Sequence, residues 1–223
     1  MHQKKNKKFL VYLFLLFIFS SIGNNYINNF KFDNIQYIKI SGLDKKDNNN
    51  ILKQFKNFNK ENIFFIDKTN LNKIIRSNVL VEEYEIFKKY PNTIDIKIKK
   101  TKFLAKINTN GKIFLVGSNG KLIPNESGYL DLPFIFGKPN INEFLNFKKI
   151  IDKSKFSFTK IEELYFFPSK RWDLKFDNNI LLKLPNKLSN ETLSSVHEFI
   201  QNYEGEKFSI VDARIENQII LNE

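Results

Sequence analysis

The chain has 223 residues, 42% of them hydrophobic, and a formal net charge of +12. That length holds one large domain or two small ones, with enough apolar residues for a packed core. There is no cysteine, which excludes disulfides, thiolate nucleophiles and zinc–thiolate sites.

The positive charge raises nucleic acid or an acidic membrane as partners. It is mostly lysine: Arg76, Arg171 and Arg214 are the three arginines. Arginine is the usual reader of guanine edges and phosphates. Heavy use of lysine, asparagine, isoleucine and phenylalanine also follows from A/T-rich codons, so part of the basicity reads as genome composition. No nucleic-acid partner is expected.

Lys4, Lys5, Lys7 and Lys8 precede an apolar run, "FLVYLFLLFIFSSI", from Phe9 to Ile22. The run is short for a span of about 20 residues, but continuation to residue 28 brings it close. "SSIG" at 20–23 is a weak cleavage site without an A-x-A pattern. The segment reads as a retained signal anchor over 9–28, after a cytoplasmic tail, 1–8, held inside by its lysines. The rest of the chain then lies across the membrane.

"NIQYIKISG" (34–42) alternates apolar and polar residues and ends at a glycine, a strand and turn. After a polar stretch, Ile51, Phe55 and Phe58 share a helical face. "NIFFID" reads as a short extended piece. Leu71, Ile74 and Ile75 form the stripe of a second helix, capped by Thr69 or Asn70, with Asp67 able to cap or stabilise its start. Then "VEEYEIFKKYPNTIDIKIKK" gives two strands turning at Pro91-Asn92. Ile94, Ile96 and Ile98 face one side and Asp95, Lys97 and Lys99 the other.

The pattern changes near Lys100–Lys102, a domain boundary. Short strands "FLAKINT", "KIFLVGS" and "KLIP" are separated by Asn110-Gly111 and Asn119-Gly120, the strongest short hairpin signal. "LPFIFG" reads as another strand. Asn140 and Glu143 form a capping box for a helix with Phe144, Phe147, Ile150 and Ile151 on its apolar face. "TKIEELYFF", "RWDLKFD" and "ILLKLP" are strands. Ser189 caps a helix carrying Leu193, Val196, Phe199 and Ile200. "FSIVDARI" and "IILNE" close the chain. The fold class is α+β: an anchor helix, a β-α-α-β-β domain over 34–100, and a β-rich domain over 101–223 with a mostly antiparallel sheet and two helices.

These stretches resemble the FtsQ/DivIB family of bacterial cell-division proteins over nearly the whole chain. "IKISG" looks like the first strand of the family's POTRA domain. "NIFFIDKTNLNKII" and "VEEYEIFKKYPNTIDIKI" are similar to its helix and hairpin stretches, with Val81, Ile86, Pro91, Ile94 and Ile96 in place. "RWDLKF" is similar to an R-x-W-x-L-x-L strand and "IVDARIEN" to the closing D-x-R strand. Departures are Gly117 where the family has Asp, Ile215 where an aromatic is usual, and Gln218 for a glycine. Lys100 and Phe103 replace the Glu and Pro that follow the family's POTRA domain.

The resemblance implies a non-enzymatic, single-pass inner-membrane scaffold of the divisome, without cofactors, at the division septum. Its implied partners are FtsB-like and FtsL-like membrane-anchored proteins, with other division proteins meeting the POTRA domain. The partner surface is the terminal edge strand: Ile215, Glu216, Asn217, Gln218, Ile219, Ile220 and Leu221. Arg171 matches a basic position beside that edge, or is an ordinary solvated charge. Alternatives are an exported basic module for an anionic polymer and a POTRA-type assembly module of another envelope system.

No catalytic or metal set is expected. His197 stands near Ser194 and Ser195 but has no G-x-S-x-G elbow, and no cysteine or second nearby histidine completes a metal site. Asp212 and Arg214 read as structural members of the closing strands, and Trp172 as core.

Overall fold

The computed structural model describes residues 4–22, 34–125, 128, 131–203, 208–215 and 218–222. Helix α1 spans Lys4–Ile22. Its apolar part, from Phe9, rises about 21 Å, against about 30 Å of bilayer hydrocarbon. Among the described residues no helix is long and apolar enough to cross a membrane. The transmembrane helix expected over 9–28 is therefore not shown among the described residues. Lysines occupy the first turns of α1, and residues 23–28 lie outside the described residues. The large apolar side chains from Phe9 to Phe19 are between 37% and 76% exposed.

The chain divides into two compact units, Met1–Lys73 with Glu85–Lys97, and Ile74–Tyr84 with Ile98–Glu223. The first half supplies β1 (Tyr37–Ser41), α2 (Lys45–Gln54), α3 (Lys68–Ser77), β2 (Val81–Lys89) and β3 (Thr93–Lys100). The three strands form a sheet ordered β1-β3-β2, with β1 parallel to β3.

In the first unit, Ile51, Phe55 and Phe58 are fully buried, as their spacing predicts. Phe55 and Phe58 pack ring to ring at 5.4 Å. Helix α2 starts at Lys45, inside the polar stretch, because Asn48 turns back on its own entry. Its Nδ2 donates to the Leu43 carbonyl at 2.8 Å. The cap of α3 is Asp67, whose Oδ1 accepts from the backbone N–H of Thr69 at 2.9 Å and of Asn70 at 3.3 Å. Thr69 and Asn70 themselves lie in the first turn. "NIFFID" is a turn rather than an extended piece, with the Asn62 side chain accepting from Phe64 N–H.

Ile94 and Ile96 are buried as the alternation requires. On the opposite side Asp95 is buried too, with Lys89 Nζ 2.5 Å from its carboxylate. That hydrogen bond holds the Asp95 carboxyl below the usual aspartate range. Lys97 lies 5.2 Å over the Phe87 ring. Within the second unit Lys99 pairs with Glu83 at 3.0 Å. The lysine-rich hairpin is thus laced with partnered charges.

The second unit contains β4 (Phe103–Thr109), β5 (Lys112–Gly117), β6 (Leu122–Pro124), β7 (Phe134–Phe136), α4 (Ile141–Lys153), β8 (Ile161–Phe166), β9 (Trp172–Phe176), β10 (Leu181–Lys183), α5 (Asn190–Asn202), β11 (Ile210–Asp212) and β12 (Ile220–Asn222). They build a nine-stranded sheet ordered β12-β11-β10-β9-β8-β7-β4-β5-β6. The sheet is mixed: five of its eight neighbouring pairs are antiparallel, and the three parallel ones are what the mostly antiparallel expectation left out. β4–β7, β7–β8 and β10–β11 are parallel. For two of these pairs the physical reason is a helix: α4 crosses from β7 to β8 and α5 from β10 to β11, and such crossovers return a strand in the same direction. The Asn110-Gly111 hairpin forms as expected, with φ of 53° and 80°.

The capping box of α4 is in place: Asn140 accepts from Asn142 N–H, and Glu143 accepts from Asn140 N–H at 3.0 Å. Ser189 Oγ accepts from Thr192 N–H at the start of α5. Phe144, Phe147 and Ile151 of α4 and Leu193 and Val196 of α5 join one core cluster with Ile135, Leu164, Trp172, Leu174 and Leu182 of the sheet. One face of the sheet is therefore covered by helices.

Gly137, at φ +95°, closes β7. A Cβ there would meet the Phe166 carbonyl oxygen at 2.3 Å. Gly137→Ala is expected to destabilise the protein by at least ~1–3 kcal/mol, read as a lowered urea midpoint. An unchanged midpoint would show that β7 and β8 part without cost.

The terminal edge strand and its flanking face

Strand β12 is the last strand of the sheet at one edge, paired antiparallel with β11 through Ile210↔Asn222, Val211↔Leu221 and Asp212↔Ile220. Ile219 and Leu221 turn toward the core. Ile220 is 44% and Ile215 55% exposed. Gln218 N–H donates to the Ile215 carbonyl at 3.2 Å, closing the turn into β12. Glu216 and Asn217 lie outside the described residues. Ile215, Gln218 and Ile219 also line a cavity of about 830 Å³ beside the first turn of α5.

The opposite edge, β6, ends in Pro124, which has no N–H to offer a new strand. Strand β12 carries neither proline nor charge. It therefore presents the more open row of backbone donors and acceptors.

Arg171 does not reach this edge. It precedes β9, three strands inward, about 14 Å at ~4.8 Å per strand. Alternation in "WDLKF" sends Trp172, Leu174 and Phe176 to the helix-covered face, and Asp173 and Lys175 to the open one. Arg171 lies 3.0 Å from the Asp173 carboxylate and its guanidinium 4.2 Å from the Phe167 ring centre. Burial pushes the Asp173 carboxyl up, against the opposing hydrogen bond from Arg171. Tyr165, on the same face, donates to the Glu163 carboxylate, which pushes its phenol up to about 12.

A groove of about 530 Å³ on this face joins Phe167, Arg171, Asp173 and Lys183 to Ile210 and Arg214. The structure thus brings Arg171 together with Arg214 and Lys183, which the residue-by-residue reading did not place in a site. The alternation of "WDLKF" and "ILLKL" marks which residues share a face, but only the strand order brings them together.

Arg214 clasps Asp212, with Nε at 2.8 Å from Oδ1 and 2.9 Å from Oδ2. That hydrogen bonding holds the Asp212 carboxyl below its usual range, against the effect of burial. A folded-state pKa below the unfolded value of ~3.9 adds stability above that value, lost as pH falls through the folded pKa. Asp212→Asn is expected to lower stability near neutral pH by less than about 1 kcal/mol, since the pair is partly exposed. The difference from the unchanged protein should vanish in strong acid. Urea midpoints across that pH range check it.

Among the described residues no group of three or more His, Asp or Glu is placed to hold a metal ion. His197 packs edge-on against Phe156 at 5.1 Å between ring centres. Trp172 is buried, stacked on Phe147 at 4.7 Å.

Comparison with known proteins identifies the family. Residues 34–100 match the family described as POTRA domain, FtsQ-type. Residues 99–214, just over half of the chain, match the family described as cell division protein FtsQ/DivIB, C-terminal. The cell division protein DivIB of Bacillus subtilis is 28% identical over 181 residues, covering 75% of this chain and 64% of its own. The cell division protein FtsQ of Rickettsia felis is 28% identical over 185 residues, covering 78% and 67%. The chain thus spans about two-thirds of the length of these relatives. A solved structure, the major extracytoplasmic domain of the trans isomer of DivIB from Geobacillus stearothermophilus, matches with a TM-score of 0.36. It is 12% identical and covers 49% of this chain and 99% of that one. The chain belongs to the FtsQ/DivIB family of cell-division proteins.

Proposed function

We propose that this chain is a non-enzymatic, membrane-anchored scaffold of cell division that binds FtsB-like and FtsL-like partners by strand addition at β12. The observation that carries the reading is the contrast between the two edges of the large sheet, one closed by Pro124 and one open at Ile220–Asn222. Strand addition takes its affinity from main-chain hydrogen bonds and its specificity from alternate side chains. Residues 215–221 form that surface. Arg171, with Arg214 and Lys183, meets acidic side chains that run off the edge across the open face.

The apolar run that begins at Phe9 anchors the chain in a bilayer. Its lysines stay on the cytoplasmic side and the rest of the chain, the POTRA domain over 34–100 and the β-rich domain over 101–223, lies on the other. Exposure of the large side chains from Phe9 to Phe19 supports this, since bare apolar patches of that size mark membrane or protein contact. Anchoring partners in one bilayer raises their effective concentration. Other divisome proteins meet the POTRA domain, and septal wall synthesis is controlled through the assembly.

A fluorescent fusion in dividing cells tests the reading. A mid-cell band is expected. A uniform membrane signal through the division cycle would contradict it.

A further inference from the structure

The first unit exposes aromatic rings at one end. Phe65 is 82% exposed, Tyr90 58% and Phe64 45%. Phe64 and Tyr90 stack at 4.8 Å between ring centres. Packing explains the stack but not Phe65, whose ring is spread into solvent. An exposed aromatic cluster on a folded domain marks a contact surface.

The backbone beneath these rings is fixed. Phe64 N–H donates to Asn62 Oδ1 at 2.9 Å and Phe65 N–H to the Asn62 carbonyl at 3.1 Å. Lys88 Nζ donates to the Phe64 carbonyl at 3.3 Å. The aromatic side chains are therefore held outward rather than sampled from a loose loop.

This is also the end at which the chain enters the unit. Asn34 bridges to Asn62. Ile35 N–H donates to the Glu61 carbonyl, and Gln36 and Tyr37 N–H donate to the Asn92 carbonyl. Residues 23–33 separate this entry from the end of α1. Their fully extended reach is at most about 40 Å, which leaves this end of the unit within reach of the surface that holds α1.

The local charge suits such a surface. Lys88 lies two positions before Tyr90 and Lys68 follows Phe65 by three, whereas Lys89 is taken up by Asp95. The acidic neighbours are turned onto backbone: Glu61 accepts from Asp67 N–H, and Asp67 accepts from Thr69 and Asn70 N–H. Aromatic rings flanked by lysines are the side chains that settle at a membrane–water interface, rings at headgroup depth and ammonium groups toward lipid phosphates.

We propose that the end of the first unit bearing Phe64, Phe65 and Tyr90 docks onto the surface of the lipid bilayer that holds α1. Docking fixes how the POTRA unit stands on the membrane, in place of a domain free to swing on its tether. The proposal rests on the membrane anchoring given above.

The absence of cysteine makes the test direct. Phe65→Cys and, at the far end of β1, Ser41→Cys each give one site for an environment-sensitive dye in the full chain. The chain is reconstituted into vesicles of phosphatidylethanolamine with a minority of phosphatidylglycerol, and flotation confirms attachment. The dye at position 65 should shift to the blue and be quenched by lipids spin-labelled near the headgroup. The dye at 41 should remain water-like. If the chain floats with vesicles but the dye at 65 stays water-like, docking is wrong and anchoring stands. If the chain does not float, both fail. Loss of mid-cell recruitment in Phe64→Ser/Phe65→Ser, with the lipid signal at Tyr90→Cys unaltered by those changes, would make the tip a protein-binding surface and overturn lipid docking.

Discussion

Trp172→Ala is expected to destabilise the second unit by about 3–5 kcal/mol, the usual cost of emptying an aromatic site in a core. Trp172 is the chain's single tryptophan and is 6% exposed. Its ring stacks on Phe147 at 4.7 Å and meets Phe166 at 4.8 Å and Phe144 at 6.3 Å. It therefore ties α4 to β8 and β9. The sheet backbone limits how far the cavity can collapse, which places the cost toward the upper end of the range. Urea denaturation followed by circular dichroism measures it. A loss under about 1 kcal/mol, the scale of a surface change, would show that α4 is held by other contacts.

The second large effect concerns binding. Successive backbone N–H groups of a strand point to opposite sides. Of Ile220→Pro and Leu221→Pro, one removes a donor facing β11 and the other a donor facing outward. The outward one is expected to weaken binding of an FtsB-like segment at least tenfold, about 1.4 kcal/mol. That sum combines a lost main-chain hydrogen bond of ~0.5–1.5 kcal/mol with the steric obstruction of the proline ring. Trp172 fluorescence reports whether each variant is still folded. Titration of both variants with the segment gives the comparison. Equal, undiminished affinity in both would exclude strand addition at β12.

Much of the fold could be read from the chain because alternation and turn chemistry agreed locally. Ile94, Ile96 and Ile98 marked a strand and proved buried. Asn140 with Glu143 marked a helix start and forms the capping box. Where reading failed, the deciding forces were not periodic. Nothing in the apolar pattern starts α2 at Lys45; the Asn48 side chain bonding to Leu43 does. "NIFFID" has the composition of a strand, but Asn62 closes it into a turn and leaves Phe65 in solvent.

The sheet's parallel pairs were missed because strand direction is set by crossovers rather than by residue pattern. The departure at Gly117 acquires a reason from packing: a Cβ there would meet Asn119 Oδ1 at 2.6 Å and Thr101 Oγ1 at 2.9 Å. The Asn119 side chain is itself fixed by donating to the Val79 and Val81 carbonyls. For the site, sequence marked the strand that lies at the edge. It could not show that Arg171 sits three strands inward or that Arg214 shares its groove, since both depend on strand order.

Backbone hydrogen exchange of the chain with and without a membrane-anchored FtsB-like partner tests the central claim most directly. Strand addition predicts new protection within Ile219–Asn222, where outward N–H groups gain acceptors, and none at Leu122–Pro124 on the other edge. Protection confined to the Arg171 groove, or to β6, with residues 219–222 still exchanging as in the free chain, would contradict it.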